Sequence, residues 1–398
     1  MDRIFNLYRN AYGGLSRSAW MLALVMFINR SGAMVVPFLS VYLTEALGFT
    51  LKQVGLAMSI FGFGAMGGSF LGGWLTDRIG HFRVQFYSLL LGGCLFFVLL
   101  QLKSFYAFAG GLFVLSLVTE CLRPANASSV AFYAQPENVT RAFSLNRMAI
   151  NLGFSFGPAI GGLLASFSYK WLFMADSLTS ILAGLCFYLY FHTRKGFQPS
   201  TSTATQAPKA KQSPYRDVPF LLFAFLCTCF AVVFFQLFTT LPLYYRQVYA
   251  LSEARIGTLL GLNGFIVFTV EMILVYLIGQ RIPFIKLIVT GVLLTGSAFM
   301  ILNMASGPLI LFISMVLLSL GEILAMPFMS TITVNRSGEH NRGAYMGLYS
   351  LSYSAALILA PYLGTNLVAH FGFANLWWIA GLFSVLTSLG FILINQKL

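Results

Sequence analysis

Apolar positions in this chain run in long unbroken blocks separated by short polar punctuation. Many blocks exceed about 18 residues, enough to cross roughly 30 Å of hydrocarbon as helix. They do not alternate in segments of about ten residues, as the strands of a membrane barrel would. The pattern predicts twelve helical spans, at about 19–43, 51–75, 84–102, 105–134, 142–167, 170–192, 218–245, 253–279, 285–303, 308–334, 343–369 and 373–395. Residues 193–217 are rich in Ser, Thr, Pro, Ala and Lys without hydrophobic period, and read as a flexible linker. The expected organisation is an all-α membrane protein. Residues 1–192 form a six-helix bundle with an amphipathic lead-in, 193–217 the linker, and 218–398 a second six-helix bundle.

Composition narrows the class further. The chain is 58% hydrophobic and only 9% charged, too little charge to cover a soluble core of 398 residues. The net charge of +13 sits in short loops rather than on one face, which argues against nucleic-acid binding. Seventeen of the 24 Lys and Arg residues fall at the termini, in the linker and in the loops after spans two, four, eight and ten. By the positive-inside rule both termini and the linker are expected on the cytoplasmic side, in a plasma membrane that is most naturally a bacterial inner membrane. The first 18 residues carry no cleavage pattern for a signal peptide. All five cysteines lie inside apolar runs, so no disulfide or metal centre is expected, and the four histidines are scattered.

The two bundles repeat each other at an offset of about 203. Arg78 meets Arg281, Pro124 meets Pro327, Pro158 meets Pro361 and Gly161 meets Gly364. Thr50 and Ser252, candidate helix caps before spans two and eight, match at an offset of 202. An even number of spans per repeat makes the repeats parallel, an arrangement suited to two halves rocking about a central site.

The loop after span two reads GGSFLGGWLTDRIGHFR (67–83), with Gly73, Asp77, Arg78, Gly80 and Arg83. It resembles the signature of the major facilitator superfamily between spans two and three, with a thinner basic cluster than usual. The resemblance implies a conformational latch at these residues. NLGFSFGPAIGG (151–162) carries Gly153, Gly157, Pro158, Gly161 and Gly162. It resembles the span-five motif of that family's twelve-span drug:H+ antiporters, which implies export. TECLRPANA (119–127) is similar to a degenerate form of the family's basic span-four motif, with Asn126 and Ala127 in place of Gln and Gly. Short stretches of spans one and ten resemble bacterial exporters of small solutes.

Charges inside spans are expensive and mark pathways. Glu120 and Arg123, three residues apart on one face of span four, form a pair with Arg30 of span one nearby. Glu322 in span ten lies at a similar depth with no basic residue in its own span. Removal from water disfavours a lone carboxylate's charged form, so Glu322, with Glu120, is the candidate proton carrier. The resemblance implies that spans one, four, seven and ten line the cavity. Asn29, Arg30, Arg123, Asn126, Gln236, Asn263 and Tyr353 are candidate solute contacts, with Phe234, Phe235 and Phe238 as an apolar wall. Glu271 and Asp176 read as packing or interface residues.

The function expected is a proton-coupled secondary transporter exporting a drug-like amphiphile, a dipeptide or another zwitterion. A proton symporter importing a peptide, sugar or organic acid is the alternative, and a membrane receptor or scaffold a third. No enzyme chemistry is expected. No cofactor is expected, the proton gradient supplying the energy. The expected partners are the solute, protons and membrane lipids, without nucleic acid, and a monomer is the default.

Overall fold

The computed structural model describes residues 15–134, 139–194, 214–278, 281–337 and 342–395. The lead-in over 1–14 and most of the linker, 195–213, lie outside them. Among the described residues the chain is helical throughout, without strands. Eleven stretches are long and apolar enough to cross a membrane. The last, Tyr345–Ile394, is two helices merged across Gly372, whose φ of 79° breaks the helical path. Its 50 residues would extend about 75 Å as one helix, more than twice the hydrocarbon thickness. The break therefore separates spans eleven and twelve, and the twelve-span architecture follows.

Several spans are single helices: Leu51–Ile79 (two), His81–Gln101 (three), Val139–Phe167 (five), Tyr169–Phe191 (six), Glu253–Ile278 (eight), Phe284–Met300 (nine) and Pro308–Ser337 (ten). Spans one, four and seven are broken, and all three breaks fall at the centre of the molecule. Span one stops at Ser31 and resumes at Val35. Span seven runs Val218–Phe234, tightens into a short 3-10 turn at Phe235–Phe238, and continues as Thr240–Gln247. Gly32 and Phe235 are 203 positions apart, so the repeat extends to the breaks themselves. Span four breaks at Cys121, between Phe105–Glu120 and Leu122–Tyr133. Pro124 explains it: proline has no N–H to give the carbonyl of Glu120, and its ring crowds that carbonyl.

Side-chain caps mark several helix starts, Thr50 among them as the sequence suggests. Thr50 and Gln53 form a capping box before span two, Ser104 caps span four, and Asp217 caps span seven. Gly80 turns the chain between spans two and three at φ 86°, a conformation that disfavours any side chain. The bulk of the core is one apolar cluster that draws residues from both sets of six spans.

Candidate functional site

A cavity of about 230 Å³ lies at the centre, among the breaks of spans one, four and seven. Its wall is mostly aromatic and aliphatic, from Phe61, Phe96, Phe154, Phe235, Phe238 and Leu357. Polar groups come almost entirely from the first six spans: Asn29, Arg30, Ser88, Glu120, Arg123 and Asp176. Arg30 occupies the last turn before the break in span one, where a cation complements the partial negative charge of a helix end. Its guanidinium lies 5.5 Å from the centre of the Phe154 ring, and its buried Nε has no hydrogen-bond partner among the described residues. Glu120 pairs with Arg123 at 3.3 Å. The carboxylate is 16% exposed and the guanidinium 62%, so the pair reaches from the cavity toward water.

Asp176 was read from sequence as a packing residue, and it does pack. Its Oδ2 accepts from the backbone N–H of Met34 (3.2 Å) and Val35 (3.0 Å). These donors open the second half of span one, where the Met34 N–H also reaches the carbonyl of Gly32 at 2.7 Å, so Asp176 caps the break from across the bundle. It also faces the cavity beside Arg30. Asn29 Nδ2 donates to Ser180 Oγ at 3.3 Å, tying the same break to span six.

The remaining candidates are placed elsewhere. Glu322 does not line this cavity; it accepts from Asn263 Nδ2 of span eight at 3.1 Å, and Asn263 also reaches Ser319 Oγ at 3.1 Å. Tyr353 accepts from Tyr349 at 3.1 Å beside Met329. Gln236 donates to the carbonyl of Ala360 (3.0 Å) and accepts from Thr239 and Thr240 (3.1 and 2.7 Å), so its amide braces the break of span seven against span eleven. Asn126 faces span three, accepting from Gln85 Nε2 at 3.4 Å. Of the aromatic wall, Phe235 and Phe238 reach the cavity while Phe234 is buried in the core.

The span-five motif works on two faces. A Cβ on Gly153, Gly157 or Gly161 would press on Arg30, Ala33 or Met34, the atoms around the break in span one. A Cβ on Gly162 would come within 2.8 Å of Gly257 Cα in span eight, and one on Gly257 would overlap the carbonyl of Pro158. The motif therefore lets span five touch the cavity helix and the opposite bundle at once.

The two sets of spans close at one end and part at the other. At the end away from the linker, Arg246 of span seven meets Glu45 of span one at 2.5 Å and Glu253 of span eight at 3.5 Å. Tyr169 of span six donates to Glu253 at 3.1 Å. Spans two and eleven touch in the half near that end, where Gly55, Ser59 and Gly62 meet Thr365, Ile358 and Leu357. Helical periodicity continues that face of span two through Phe70, Gly73 and Asp77. There Phe70 is 64% exposed, a Cβ on Gly73 would meet nothing within 4 Å, and Asp77 is exposed. Arg78 stacks on Trp74 at 4.1 Å, and Arg83 is exposed. Among the described residues, the face of span two that meets span eleven at the other end is thus exposed near the linker, with Gly73 and Asp77 of the expected latch on it.

Sequence reading missed the cross-bundle contacts. Arg147, counted as a loop charge, pairs with Glu271 across spans five and eight, and Asn151 Nδ2 donates to the same carboxylate at 3.4 Å. Glu45, Arg246 and Glu253 look like separate loop charges in one dimension.

Comparison with known proteins agrees with this architecture. The sequence model of the Major Facilitator Superfamily matches residues 19–335 and 272–397. The MFS-type transporter YttB of Bacillus subtilis is 25% identical, with 90% of each chain covered. A Na(+), Li(+), K(+)/H(+) antiporter of Planococcus maritimus is 25% identical, with 92% of each chain covered. The multidrug resistance protein MdtH of Aeromonas hydrophila is 23% identical, with 83% of each chain covered. Among solved structures, a variant of the peptide transporter POT superposes with a TM-score of 0.83 at 19% identity, covering 97% of this chain and 96% of its own. These relatives are transporters, not enzymes. The chain is a multi-pass membrane protein and belongs to the Major Facilitator Superfamily.

Proposed function

We propose that this protein is a proton-coupled secondary transporter that exports a small organic zwitterion or drug-like amphiphile by alternating access. The observation that carries the reading is the buried, unpaired Nε of Arg30 in a small, mostly apolar cavity beside Glu120. An unsatisfied buried donor is costly, and a solute carboxylate would satisfy it. Glu120 offers a site for an ammonium group, and the Phe235–Phe238 wall takes an apolar side chain. A cavity of about 230 Å³ suits a solute of dipeptide size better than a large drug.

Glu322 is the proton carrier in this reading. Among the described residues its one hydrogen bond comes from a neutral amide, and the Arg147 guanidinium nearby is paired with Glu271. The Lys and Arg distribution supports a cytoplasmic linker end in a bacterial inner membrane, with the cavity facing the cytoplasm. The span-five motif and the antiporter among the relatives support exchange against protons.

The test is proton movement in proteoliposomes loaded with a pH dye and challenged from outside with dialanine, arabinose or ethidium. Dialanine is expected to make the interior more alkaline, as antiport requires, and Glu322→Gln to abolish the change. Acidification would mean symport. A labelled solute that crosses without any pH change would remove the proton from the mechanism.

A further inference from the structure

The solute cavity does not contain Glu322, which raises the question of how a proton reaches it. A second cavity, of about 390 Å³, lies between spans five and eight. Asn146, Arg147, Asn151 and Glu271 form a polar strip in it among apolar side chains such as Phe143, Val267 and Phe268. Two features mark it as a polar conduit rather than a packing gap. Asn146 is 6% exposed, yet its Oδ1 has no hydrogen-bond partner among the described residues. Glu271 presents its carboxylate to the same space, held by Arg147 and Asn151. A roomy site with an unsatisfied acceptor and a carboxylate is where ordered water is expected.

Asn263, Val267 and Glu271 are four residues apart in turn, so they lie along one face of span eight. That face leads from the cavity to the amide that holds Glu322. The groups that face Glu322 are Asn263 and Glu271 from span eight, Arg147 from span five, Tyr353 from span eleven and Ser319 of its own span. Nothing in that set is a cation committed to Glu322, because Arg147 is paired to Glu271.

We propose that the crevice between spans five and eight is the proton inlet of this protein, a water path from the linker end past Asn146 and Glu271 to Glu322, separate from the solute cavity. This rests on the reading of Glu322 as the proton carrier. A hydronium gives its proton to Glu271, leaving water and weakening the bond to Arg147. The proton then passes along water to Glu322, and Glu271 regains its charge and its partner. Spans five and eight belong to opposite bundles, so the rocking that exposes the solute also moves the walls of the inlet.

The experiment labels Glu322 in the full-length protein in proteoliposomes with a water-soluble carbodiimide and glycine ethyl ester, read by mass spectrometry. Met148 lines the inlet and Ser88 the solute cavity. Each is changed separately, Met148→Cys and Ser88→Cys, with Cys94→Ser and Cys186→Ser, and then modified after folding with a bulky maleimide. The maleimide at position 148 is expected to slow labelling of Glu322 about tenfold, a barrier increase of about 1.4 kcal/mol. The same group at position 88 should leave it within about twofold, a barrier change of less than 0.5 kcal/mol. The reverse pattern overturns the inlet while keeping Glu322 as carrier. Glu322 that stays unlabelled in the unmodified protein while Glu271→Gln moves protons at the wild-type rate overturns it as well. Loss of the carrier role itself is read separately, from a pH signal that survives Glu322→Gln. Solute counterflow, which needs no net proton movement, should persist in Glu271→Gln while the solute-driven pH change slows. An equal loss of both would make the Arg147 pair a mechanical tie and end the proposal.

Discussion

Asp217 shows what one carboxylate does when its partners are complete. Arg336 donates to both its oxygens, at 2.7 and 2.8 Å, Tyr345 donates at 2.8 Å, and the N–H of Phe220 at 3.3 Å. The Arg336 guanidinium holds the carboxyl below the usual carboxylate range, outweighing the effect of burial. A lowered folded value means that the stability it lends is present above about pH 4, where the unfolded chain is ionised too. It is lost as pH falls through the folded value. Asp217→Asn should therefore lower stability by about 1.5–3 kcal/mol at neutral pH, seen as an earlier thermal transition in detergent. The gap to wild type should narrow below about pH 4. A gap that stays constant into acid would show that the ion pair adds nothing. Arg30, whose buried Nε has no hydrogen-bond partner among the described residues, is the opposite case, and the function proposed above gives that donor a solute carboxylate.

At the scale of elements, breaks and glycines decide where helices go. The break in span four follows from Pro124 and could be read from sequence. The breaks in spans one and seven carry prolines as well: Pro37 and Pro242 lie in the first turn of the resumed helices and leave the carbonyls of Ala33 and Phe238 without a helical donor. What the sequence does not show is how the freed groups are met: Asp176 of span six accepts from Met34 and Val35, and Gln236 donates to the carbonyls of Val232 in its own span and Ala360 in span eleven. Gly162 and Gly257 face each other with no room for a Cβ on either. Gly257→Leu should force spans five and eight apart at a cost of about 1–3 kcal/mol or more. The far-end closure would weaken with it. Reaction of a Cys placed at Glu45 with a membrane-impermeant thiol reagent from the far side should speed up. Unchanged reactivity would mean that the spans absorb the side chain without opening.

The whole molecule is held at one end and parted at the other. Arg246, between Glu45 and Glu253, ties three spans together far from the linker, and Tyr169 of span six joins them through Glu253. Near the linker, Gly73 of span two and Gly347 of span eleven both face open space, on the helix faces that touch at the other end. Closing the linker end would bring these two bare glycines together, since small residues allow close crossing. A protein carrying Gly73→Cys and Gly347→Cys should cross-link little in the state described here. It should cross-link faster when Arg246→Ala loosens the far end. Equal rates in both backgrounds would break the link between the two ends.

The sequence alone settled the class, the twelve spans and the family, because hydrophobic length, glycine spacing and the short signatures are local properties written along one dimension. It also singled out Glu120, Arg123, Arg30 and Glu322, since a charge in an apolar run stands out whatever its partner. What a charge does depends on what lies across the bundle, and only the tertiary structure decides that. It set Glu322 against Asn263 and away from the central cavity, spent Gln236 and Asn126 on bracing, and gave Asp176 a cap to hold. It joined Arg147 to Glu271 over 124 residues of chain. Such pairings have no sequence signal because helix packing, not chain order, brings the partners within reach.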